Sequence, residues 1–158
     1  MSNGLLHATP EQASSMLQLF NFVFPLSIAT QGFLLDHLYP MKLGKGKILH
    51  KSGSICDKIY FVNKGAIRGF IKEGKKDSTT WITIENEMVA AIYSFIKQVP
   101  SIENMQTIED CDLLAMRHKD LHTMFELYPE SNILARRIYE KYYADAEVRA
   151  LTARLSNA

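Results

Sequence analysis

The chain has only two cysteines, Cys56 and Cys111, far apart and in no metal or redox spacing. A disulfide scaffold, a cysteine-ligated zinc site and a cysteine-ligated iron–sulfur cluster are therefore excluded. Reduced, structural thiols in a cytoplasmic protein are the simplest reading. No apolar run approaches the roughly 20 residues that a membrane-spanning helix needs. The opening MSNGLLHATPEQ lacks both the basic and the long apolar region of a secretory signal. Charge of one sign is missing too, with 18 basic and 17 acidic residues giving a net +1. That balance gives no support to nucleic-acid binding by this segment. His50 stands alone in its run, and no HxH pair occurs anywhere. His118 and His122 are four apart on a helical stretch, but no third ligand is evident beyond Asp120 or Glu126. Ser78, Thr79 and Thr80 have no partnering base, so no nucleophile is assembled. Neither an enzyme, nor a metal site, nor a cofactor is expected.

What is present is enough apolar residue, 47% of 158, to build one packed core. Between Lys42 and Glu85 glycine recurs at 44, 46, 53, 65, 69 and 74, separating short runs rich in Ile, Val, Phe, Tyr and Thr. Such punctuation predicts a succession of short strands, a sandwich or barrel. Gly65 and Gly74 suit tight reversals that need positive φ. Upstream, Thr9-Pro10-Glu11-Gln12 is a capping box. It leads a helix with Met16, Phe20 and Val23 on one face, stopped at Pro25. A second helix is predicted from near Ser27 to before Pro40, with Phe33, Leu34 and Leu38 inward. Strands then run from about Met41 to Met116, interrupted over 90–103 by AAIYSFIKQVPSIE. There Ile92, Phe95, Ile96 and Val99 follow helical spacing. From His118 the pattern is helical, broken at Pro129, and a helix of about 25 residues closes the chain.

The order of two helices, a β-roll with an inserted short helix, and a long last helix resembles the regulatory domain of the Crp/Fnr family of bacterial transcription factors. GKGKILHKSGSICDKIYFVNKGAIRGF at 44–70 looks like that family's opening strands, and EDCDLLAM at 109–116 like its closing strand. The detail looks most like divergent members from Bacteroidetes-type bacteria. The implied fold is mainly β with flanking helices: a double-stranded β-helix, or jelly roll, of the cyclic-nucleotide-binding type. It implies a roll domain over 1–127 and a dimerisation helix over 128–158.

In nucleotide-binding members the inserted helix opens with Gly-Glu and is followed by Arg-Ser or Arg-Thr. The arginine and the helix N-terminal N–H groups match the cyclic phosphate, and the glutamate takes the ribose hydroxyl. Here Ala90 and Ala91 stand at the Gly-Glu positions and Ser101 at or near the arginine. No arginine lies between Arg68 and Arg117, and Glu103 adds a negative charge. Several charge-assisted contacts worth roughly 1.5–3 kcal/mol each are missing, so cyclic AMP in the usual pose is not expected. The candidate pocket is Ala90, Ala91, Ile92, Tyr93, Phe95, Ser101, Glu103 and Met105. It is either repurposed for a less anionic effector or filled by its own side chains.

On the last helix, Ala144, Val148, Leu151 and Leu155 recur at 4, 3 and 4, a short a/d seam. Leu134, Ile138 and Tyr142 form a second stripe suited to docking on the roll. Ile138, Tyr142, Val148, Leu151 and Leu155 are the candidate homodimer interface, while Arg136, Arg137, Lys141 and Arg149 are expected to be solvated or ion-paired. Members of the family usually continue into a helix-turn-helix. DNA would be met only through such a domain, absent from this chain, which is either a sensory module or a piece of a longer protein. True cyclic-nucleotide binding and a non-sensing dimeric scaffold are the alternatives to effector sensing.

Overall fold

The structure, a computed structural model, describes residues 6–156. The capping box forms as expected: Thr9 N–H donates to Gln12 Oε1 (2.9 Å) and Gln12 N–H to Thr9 Oγ1 (3.3 Å). It closes a turn, and α1 itself runs over Ser14–Val23, burying Met16 and Phe20. Ser27 caps α2 (Ile28–His37) by accepting from Thr30 N–H. Glu130 reaches across to the same cap and accepts from Ser27 N–H (2.9 Å) and Ser27 Oγ (2.6 Å) and from Thr30 Oγ1.

Eight antiparallel strands follow: β1 (Tyr39–Leu43), β2 (Ile48–His50), β3 (Lys58–Lys64), β4 (Ile67–Glu73), β5 (Lys76–Thr83), β6 (Met88–Val89), β7 (Asn104–Thr107) and β8 (Cys111–Arg117). They pair as two four-stranded sheets, β1-β8-β3-β6 and β2-β7-β4-β5. Gly65, at φ 94°, makes the β3–β4 reversal, and an added Cβ would meet Asp110 O at 2.5 Å. This position needs glycine for its backbone angle and for its space. Gly74, at φ 65°, turns the β4–β5 hairpin.

Both faces of the β3–β8 pair are buried. Strand alternation sends Tyr60, Val62, Leu113 and Ala115 to one face and Ile59, Phe61, Leu114 and Met116 to the other. The first set faces the second sheet across the roll; the second faces the helices. Those helices are α1, α2, α4 (His118–Leu127) and the start of α5 (Glu130–Ser156). Arg136 pairs with Glu140 and Lys141 with Asp145, while Arg137 donates to Val23 O, so these cations serve the helix and its docking.

Candidate effector-binding region

The segment that interrupts the strands is a built structure. After β6 come Ala90, Ala91 and α3 (Ile92–Lys97), which ends where Gln98 adopts a left-handed conformation, φ 52°. Ser94 Oγ accepts from Cys56 N–H (2.9 Å) and donates to Val99 O (2.5 Å). Gln98 Nε2 donates to Cys56 O. Ser101 exchanges backbone bonds with the 53–54 turn. Its hydroxyl donates to Glu103 O and accepts from Glu103 N–H, both at 3.0 Å. The segment is thus stitched to residues 52–56.

Ser101 stands at or near the place where the resemblance puts an arginine, and Glu103, to whose backbone it is bonded, is itself engaged by Trp81. Trp81, opposite Gly69 on β5, lies so close that a Cβ on Gly69 would meet the indole at 2.1 Å. The indole N–H donates to Glu103 Oε2 at 2.8 Å. Burial raises the Glu103 pKa, and the indole bond lowers it by a smaller amount. Arg68, the nearest upstream guanidinium in sequence, lies on the strand's other face. It is engaged by Gln106 Oε1 (2.8 Å), Thr79 Oγ1 (3.1 Å) and Asp77 Oδ2 (3.4 Å).

The eight predicted pocket residues do not converge on one space. Phe95 and Met105 are fully buried, and Phe95 packs edge-on to His118. Ala90, Ala91 and Ser101 are buried beside them. Tyr93 points away and is 69% exposed, with Ile92 and Ile96 also outward. Of the eight, Ala90 and Ile92 line a cavity on the helix-facing side of the sheet, apart from the lumen of the roll. Inside the lumen, His50 Nε2 is buried without a partner, and burial lowers the His50 pKa.

That cavity, about 440 Å³, lies on the helix-facing side of the β1-β8-β3-β6 sheet. Ile59, Phe61, Leu114 and Met116 floor it; Met16, Phe20, Met124, Leu134, Ala135 and Ile138 roof it; it opens between β5 and α5. Tyr142 also lines it, and its oxygen accepts from Met88 N–H at 2.8 Å, tying α5 to β6. Ile138 and Tyr142, expected at a dimer interface, are therefore engaged with the chain's own roll. The expected Val148, Leu151 and Leu155 are exposed at 63%, 50% and 79%. Sequence reasoning assigned no site role to Trp81, Ala135 or Tyr139; only the Leu134–Ile138–Tyr142 stripe pointed to this wall.

The sequence profile of the cyclic nucleotide-binding domain family matches residues 40–128, more than half of the chain. The chain belongs to this family. A cyclic nucleotide-binding domain from Methylobacillus flagellatus superposes with a TM-score of 0.77 at 14% identity, over 94% of this chain and 87% of that one. The sensor domain of the transcriptional regulator DNR from Pseudomonas aeruginosa gives 0.68 at 18%, over 90% and 95%. The Thermus thermophilus catabolite activator protein gives 0.66 at 18%, covering 85% of this chain but 62% of that one. The chain thus spans less than two thirds of that activator. Comparison with curated proteins gives no match.

Proposed function

We propose that this cyclic nucleotide-binding domain is the effector-sensing and dimerisation part of a Crp/Fnr-type transcription regulator, cytoplasmic, and that it does not take cyclic AMP in the family's usual pose. The observation that carries the reading is the Trp81–Glu103 bond over Gly69, with Glu103 two residues beyond Ser101 and bonded to its hydroxyl through the backbone. An arriving phosphate monoanion would meet a carboxylate instead of a guanidinium, and its base and sugar would have to displace an indole. No helix among the described residues is long and apolar enough to cross a membrane. Output would pass through α5 to a DNA-binding domain by population shift.

Isothermal calorimetry and thermal melting with cyclic AMP and cyclic GMP test this. A ligand at 100 times its Kd stabilises by about 2.7 kcal/mol. We expect no heat and no shift at millimolar nucleotide. Saturable cyclic AMP binding by the wild-type chain would overturn the reading. A non-sensing scaffold is the second reading, favoured by the filled lumen around Phe95 and Met105.

A further inference from the structure

The cavity under α5 is apolar over its floor and most of its roof, and its polar groups gather toward the opening, apart from Ser131, whose hydroxyl is already given to Met124 O and Tyr128 O. Its floor and roof are Ile, Phe, Leu and Met side chains from the outer sheet face and four helices. Thr80, Glu87, Tyr139, Asp145 and Arg149 stand among its polar lining residues, with Tyr142. At about 440 Å³ it lies within the roughly 300–1,000 Å³ of small-molecule sites. We propose that it binds an uncharged amphiphile: an extended apolar body with one hydrogen-bonding polar end, of the long-chain alcohol or ketone class. The proposal deepens the sensory reading above, by naming where an effector sits and what it is, and rests on that reading only for its consequence.

Charge decides the class of ligand. Glu87 and Asp145 are two anions near the opening, and Lys141, bonded to Asp145 at 2.8 Å, and Arg149 are two cations. The balance gives no net field to draw a carboxylate or phosphate, and no ionisable group among the deep lining residues would compensate one. Hydrogen bonding decides the head. The Tyr142 oxygen already accepts from Met88 N–H, so its own O–H remains to be donated. A hydroxyl or carbonyl oxygen can take that proton. The site lies beneath α5, the element that would carry the signal, so an occupant sets how this helix rests on β6.

The protein supplies its own probe, because Trp81 is its single tryptophan and lines the opening. The full chain is titrated with 1-decanol and, separately, with decanoate below its micellar concentration. Trp81 emission and thermal melting are read together. Expected are a saturable emission change and a rise in melting temperature with decanol, and at least tenfold weaker binding of decanoate. Ala135→Phe, which fills the roof, is expected to weaken decanol at least tenfold. Ala146→Phe acts at the exposed mouth, where misfolding is not a concern, and is expected to do the same. No saturable decanol response, equal or tighter decanoate binding, or retention of binding by both variants would each overturn the proposal. Cyclic AMP binding in the same apparatus would sink the non-nucleotide reading and leave this site standing. Failure of decanol would sink this site and leave that reading untouched.

Discussion

Gly69 and Trp81 share one volume, and the indole fills it because glycine leaves it open. The cost of this arrangement falls on Glu103, whose carboxylate is half-buried, with the indole N–H as its donor and no ion-pair partner among the described residues. Burial raises its pKa above the ordinary 4.5. The folded protein therefore holds the proton more tightly than the unfolded chain does. Stability associated with this group is complete below the ordinary value and is lost as pH rises through the raised one. Glu103→Gln keeps an oxygen for the indole and removes the charge. We expect the variant to match the wild type in acid and to become the more stable of the two as pH rises, with the gap levelling near neutrality. Urea unfolding at several values between about pH 4 and 8 measures it. A gap that stays constant, or narrows on going to neutral pH, would show that Glu103 is not held in this environment.

At the scale of elements, α5 is fixed by a small number of directed bonds. Arg137 holds the end of α1, Glu130 the start of α2, and Tyr142 the edge strand β6. Tyr142 matters most to a sensor, since β6 leads straight into Ala90, Ala91 and α3. Tyr142→Phe removes the acceptor of Met88 N–H while keeping the ring in place. Met88 is half-buried and water can replace part of the loss, so about 1 kcal/mol of destabilisation is expected. The Met88 amide should exchange hydrogen several-fold faster, with the β3–β8 amides little changed; uniform acceleration across the roll would mean that the bond is not a local clamp. Much at this scale was legible in sequence. Thr9 with Gln12, a second helix starting near Ser27, the turns at Gly65 and Gly74, and the helical spacing of α3 are local signals, and local geometry honoured them. The contents of the site were not legible, because Trp81 meets Glu103, and Tyr142 meets Met88, across strands and helices remote in sequence. Helical spacing also says which residues share a face but not what that face meets: Phe95 turns inward from α3, whereas Ile92 and Ile96 turn out.

At the scale of the whole molecule, α5 divides into a half that packs on the roll and a half whose large apolar side chains are exposed. Leu134, Ile138 and Tyr142 lie on the roll, and beyond Arg149 the helix continues with Leu151 and Leu155 exposed. With Val148 they keep 3- and 4-residue steps, the spacing of a two-helix seam. Burying such a side chain contributes about 1.5–3 kcal/mol, so three from each of two copies give on the order of 10 kcal/mol. Association itself costs about 4–15 kcal/mol. A symmetric dimer through this seam is therefore weak and concentration-dependent unless neighbouring surface, such as Tyr143, adds to it. The double variant Leu151→Glu/Leu155→Glu places four like charges in the seam and touches nothing in the roll. Light scattering over a concentration series should show the wild type passing from monomer to dimer and the variant remaining monomeric. Its melting temperature at low concentration should be unchanged, because exposed substitutions cost within about 0.5 kcal/mol each. A variant that still dimerises would move the interface to another exposed apolar surface, such as Ile92, Tyr93 and Ile96 of α3, and α5 would then carry no signal between copies.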